Sequence, residues 1–71
     1  MNTINPKKLL NSKWTAVTPK NQEKHFIVTK VEYDEDGIVI LCLIESVMSK
    51  QPYPINWQDL KNDNVWLHGW Q

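Results

Sequence analysis

Arginine is missing from this chain: all eight basic residues are lysine. Without the guanidinium fork, bidentate phosphate clamps and base-edge reading lose their usual instrument. Cysteine is nearly missing as well. The single thiol, Cys42, rules out an internal disulfide, and a lone thiol among aliphatics suits a reducing, cytoplasmic setting. No apolar run approaches the length of a bilayer span, and MNTINPKKLL has no apolar core of signal-peptide length. A soluble cytoplasmic domain is expected.

Paired metal ligands are lacking too. His25, His68 and Cys42 stand far apart in the chain, whereas zinc motifs bring two ligands within a few residues. A nucleophile would need a base beside it, and a thiol buried among aliphatics makes a poor thiolate. The expectation is therefore no enzyme, no metal and no cofactor. His25 is expected to make a structural hydrogen bond near Ser46 and Glu45.

What is abundant is tryptophan. Trp14, Trp57, Trp66 and Trp70 sit in 71 residues. Each indole buries about 150–250 Å² when enclosed, and one domain of this size, close to the lower limit for unaided folding, has difficulty enclosing all four. Trp14 and Trp57 are expected in the core. Trp66 and Trp70 have even separation, so an extended segment puts both on one face. There they would form either an aromatic platform, with Tyr53, or a lid over an apolar face.

The charge sums to zero but is uneven. Residues 1–30 carry six lysines against Glu23, and residues 31–71 carry seven acids against Lys50 and Lys61. A dipolar solvated surface is the simplest meaning. Lys7, Lys8, Lys13, Lys20 and Lys24 could alternatively follow nucleic-acid phosphates while aromatics stack bases.

The organising stretch is 25–48, two β-prone runs around DEDG. A four-residue loop at 34–37, with Gly37 in the left-handed region, pairs Tyr33 with Ile38, Val31 with Ile40, Thr29 with Cys42 and Ile27 with Ile44. That register makes Ile27, Val31, Ile38, Ile40, Cys42 and Ile44 the core face. A three-residue loop with a bulge at Gly37 would instead pair Ile27 with Glu45 and spread apolar residues over both faces. The first register is preferred, because a one-residue slip moves a whole apolar row. It leaves Val39, Leu41, Leu43 and Val47 on a second apolar face. That face needs the C-terminal segment or a second copy over it; a monomer is favoured, a homodimer possible.

Around this hairpin, Asn5 and Pro6 start a helical turn reaching Leu10. Residues 13–17 form a first strand that Pro19 ends, and 18–24 form a polar loop. The segment 52–57 runs extended at a sheet edge. Asn56 caps a second turn through Lys61, and 65–70 closes the chain as an extended segment. The result is a single domain over 1–71. It is mainly β, a small curved antiparallel sheet or SH3-like barrel of four to five strands with one or two single-turn helices.

NPKKLLNSKWTAV, KHFIVTKV, the acidic turn with Gly37, NWQDL and the closing WLHGW together resemble a family of small bacterial tryptophan-rich proteins of unknown function. The resemblance spans Asn5 to Trp70. It implies a bacterial, cytoplasmic, single-domain protein and carries over no catalytic or binding residue. The reading of the residues themselves points to a non-catalytic binding module for a protein or peptide partner, through Trp66, Trp70 and Tyr53. Single-stranded nucleic acid is the alternative ligand.

Overall fold

The computed structural model describes residues 2–71. Five antiparallel strands form one open sheet in the order β4-β3-β2-β1-β5. They are β1 (Lys13–Lys20), β2 (Glu23–Tyr33), β3 (Val39–Ser46), β4 (Pro52–Pro54) and β5 (Trp66–His68). Two 3-10 turns, Pro6–Lys8 and Trp57–Lys61, flank the sheet. Both begin as their sequences dictate. Asn5 and Asn56 sit in extended backbone and each side-chain oxygen accepts from the amide two residues on, the geometry of an N-cap. Leu9 and Leu60, from the two turns, are fully buried.

The hairpin 25–48 forms, but in a different register from the preferred one. Asp34 N–H donates to the Ile38 carbonyl, and Asp34 Oδ1 accepts from the amides of Asp36 and Ile38. The loop is thus three residues, 35–37, with Gly37 at φ +81°, the left-handed position expected of it. Near the open end, Val28 faces Ile44, Ile27 faces Glu45 and Phe26 faces Ser46. Between these pairs the register shifts twice, leaving Thr29 as an extra residue on β2 and Ile40 as an extra residue on β3. Each bulge changes which residues of its strand point inward. On β2 the inward set runs Phe26, Val28, then Val31; on β3 it runs Val39, then Cys42, Ile44 and Ser46.

Three of the six expected core residues are therefore misplaced: Ile38 and Ile40 are 60% and 63% exposed, and Ile27 turns away from the core. Ile27 is half-buried on the outer side, Val31 packs against the core, and Cys42 and Ile44 are buried as expected. The supposed apolar row also divides. Val39 turns to the core, Leu41 and Leu43 are half-buried, and Val47 is exposed.

The first strand does not end at Pro19. It continues to Lys20, and Asn21 and Gln22, both at positive φ, make a two-residue turn into β2. The polar loop expected over 18–24 is mostly a hairpin end. Regular pairing nevertheless lapses there. Thr15 faces His25 and Lys20 faces Glu23, so 16–19 oppose Lys24 alone. Pro19 has no N–H to contribute to a ladder, which this slack stretch does not require of it.

The core collects Leu9, Trp14, Phe26, Val28, Cys42, Ile44, Leu60 and Trp66. Trp14 is enclosed and its Nε1 donates to Ser12 Oγ at 2.8 Å. Trp57 is half-buried against the core under the Lys61 ammonium.

Candidate functional site

Phe26 is the floor of a cleft between the two edges of the curved sheet. Trp66 of edge strand β5 stands perpendicular to its ring, at 5.2 Å and 89°. Tyr53 of edge strand β4 does the same from the other side, at 6.4 Å and 86°. Edge-to-face contacts of this kind suit the ring quadrupoles. Ala16 and Thr18, alternate residues of the slack stretch of β1, and Lys20 at its end complete one wall together with Asn64 and Val65. The cleft encloses about 360 Å³, within the range of sites that take small molecules or anchoring side chains.

The mouth is electrically balanced. Lys20 and Glu23, cross-strand partners, are its charged residues. Partial burial, and secondly the Glu23 carboxylate, push the Tyr53 phenol above its ordinary 10.0. At neutral pH Tyr53 presents a protonated O–H.

Both edges that bound the cleft are closed to strand addition. β4 reads Pro52-Tyr53-Pro54, and neither proline has an N–H to offer. On β5, the Trp66 amide donates to the Asn62 carbonyl, and the Trp66 carbonyl accepts from Asn2 Nδ2 at 2.7 Å.

Of the residues expected to form a binding surface, Tyr53 and Trp66 meet at this cleft and Trp70 does not. Trp66 is 8% exposed, a core residue rather than an open platform. Trp70 packs with His25 at 5.9 Å and lies under the Lys13 ammonium at 4.8 Å. Its Nε1 donates to the Phe26 carbonyl. Phe26 and His25 are successive residues of β2, so the two indoles occupy opposite faces of the sheet. Their even separation misleads because Gly69, at φ +83°, breaks the alternation between them. The tail beyond Gly69 is tied to the outer face through Thr15, whose hydroxyl donates to the Gly69 carbonyl and accepts from the Gln71 amide. His25 finds the Gln71 carbonyl at 2.9 Å instead of the expected partners on β3.

The lysines do not form one strip. Lys20 lines the cleft, and Lys24 lies near it at the same end of β2. Lys7 and Lys8 belong to the turn held by Tyr33, whose O–H donates to the Pro6 carbonyl at 2.6 Å. The length of β2 separates these groups, roughly 30 Å for eleven extended residues. His25, His68 and Cys42 are likewise kept apart: His68 stacks on Trp14 at 4.7 Å, and Cys42 is buried. Among the described residues no three His, Cys, Asp or Glu gather in a metal-binding group, and no helix is long and apolar enough to cross a membrane.

Sequence reasoning missed Phe26, Thr18 and Asn64 as parts of the site. The expected core face of the hairpin excludes Phe26, and the polar loop expected over 18–24 includes Thr18. A signal for Phe26 existed: placing it across from Trp14 joins two large rings on one face, as the β1–β2 pairing does.

Fold and site define a small open-sheet β domain with an aromatic cleft at its seam. The chain belongs to the tryptophan-rich protein family DUF2389, a family of unknown function whose model matches residues 12–71. No curated protein and no solved structure matches it.

Proposed function

We propose that this domain is a non-catalytic binding module that takes up a peptide segment of a partner protein in the cleft formed by Phe26, Tyr53 and Trp66. The observation that carries this reading is the pair of rings standing perpendicular to Phe26, one from each sheet edge. They leave an apolar slot with a polar, uncharged-on-balance rim, suited to an anchoring side chain and its flanking amides. The buried free thiol supports a reducing, cytoplasmic setting, and the module acts as a monomer. Single-stranded nucleic acid stays second, because the lysines divide between the two ends of β2 and one face of Trp70 already carries Lys13.

The reading is tested by selecting peptides from a displayed random library on the wild-type domain and on Tyr53→Ala. Tyr53 is 42% exposed, so the variant should stay folded. Peptides retained by wild type and released by Tyr53→Ala are the expected result. Equal retention by both proteins would put the binding surface elsewhere.

A further inference from the structure

We infer that the cleft receives a polyproline II segment rather than a β-strand; this rests on the peptide-binding reading above and names the conformation of the ligand. Three features of the site lead to it.

The first is the state of the edges. A peptide bound as an added strand needs a row of unused N–H and C=O groups. Pro52 and Pro54 remove donors from the β4 edge, and Asn62 and Asn2 occupy the amide and carbonyl of Trp66 on the β5 edge. A peptide entering between them must be held by side chains.

The second is an unused donor. Trp14 and Trp70 both give their indole N–H to the protein. Trp66 does not, although it is 92% buried by its 8% exposure. No buried side-chain nitrogen or oxygen among the described residues lacks a partner, so the Trp66 N–H reaches solvent, and the cleft is where Trp66 lines the surface. Tyr53, which also lines the cleft, brings a second side-chain donor, its O–H. Polyproline II has no internal hydrogen bonds, and its carbonyls are left to accept. A proline-rich segment needs only donors from its receptor, since its own N–H groups are largely absent.

The third is charge. Lys20 and Glu23 balance at the mouth, which complements a neutral ligand and offers no net attraction to phosphates or to a basic or acidic peptide. Flat apolar pyrrolidine rings fit against the faces of aromatic walls, and the preformed helix loses little conformational entropy on binding.

The experiment titrates three probes into the uniformly 15N-labelled domain: a blocked decaproline, a soluble decamer of alternating threonine and valine flanked by lysines, and a deoxythymidine decamer. The indole N–H resonances are followed. Decaproline should shift the Trp66 indole saturably while those of Trp14 and Trp70 stay in place. Tyr53→Phe, which removes only the hydroxyl, should bind decaproline about tenfold more weakly, the equivalent of one hydrogen bond. If the threonine-valine peptide moves the Trp66 indole and decaproline does not, the polyproline inference is overturned and the peptide cleft stands. If only the oligonucleotide binds, or no probe disturbs Trp66, the peptide reading of the cleft falls with it.

Discussion

Val28 and Ile44 face each other across β2 and β3, and neither exposes any surface. Two residues before Ile44 in the same alternating pattern should come Cys42, and then Ile40. Cys42 is buried, but Ile40 is the extra residue of a bulge and is 63% exposed. Similar side chains on one strand thus differ in worth. Ile44→Ala should lower the unfolding free energy by about 2–5 kcal/mol. Ile40→Ala should lower it by less than about 1 kcal/mol. Urea denaturation of both variants measures the contrast; comparable losses would mean that Ile40 is packed after all.

Gly37 should tolerate side chains according to their torsional preference alone. A Cβ placed there meets nothing within 4 Å, yet φ is +81°. Gly37→Val should cost about 1–3 kcal/mol. Gly37→Asn should cost less, since asparagine visits this region more readily. Equal effects of Val and Asn in thermal or urea melts would show that something other than backbone strain decides the site.

Thr15 is expected to latch the tail. It is 1% exposed, and its hydroxyl serves both Gly69 and Gln71. Thr15→Val keeps the shape and removes both bonds, leaving a carbonyl and an amide without that partner. A loss of about 1–3 kcal/mol is expected, together with faster exchange of the Gln71 amide and a changed Trp70 emission. Unaltered exchange at Gln71 would show that the tail is held by its other contacts.

Burial pushes the Cys42 thiol above its ordinary 9.0. The folded state therefore holds this proton more tightly than the unfolded chain does. Its contribution to stability is complete below pH 9 and falls as pH rises past the unfolded value. Wild type should lose more stability between neutral pH and about pH 10 than Cys42→Ala does, measured as the shift in urea midpoint. Thiol labelling at neutral pH should also be slow when folded and fast in urea. Rapid labelling of the folded domain would contradict the burial.

Much of this architecture was legible along the chain. The hairpin around DEDG, the positive φ of Gly37, the asparagine-capped turns and the proline-marked edge strand all rest on local chemistry. An Asn-Pro step or a turn glycine acts through its own backbone and its immediate neighbours. The burial of Trp14 was legible as well, from its place in a short β-prone run.

The inward face of the hairpin was not legible, because β3 is apolar at every position from Val39 to Ile44 and alternation cannot choose between faces. The bulges at Thr29 and Ile40 made that choice, and they follow from how two strands pair rather than from either strand alone. The candidate site lay further still from sequence reasoning. Phe26, Tyr53 and Trp66 come from three strands, two of them opposite edges of the sheet, and only the curvature of the whole sheet sets them around one slot. Most strands and turns follow from the sequence alone, because those preferences are local, but the hairpin end at 18–24 does not. The tertiary structure decided which side of each strand is the inside, and which aromatics meet, because both depend on contacts between residues distant in the chain.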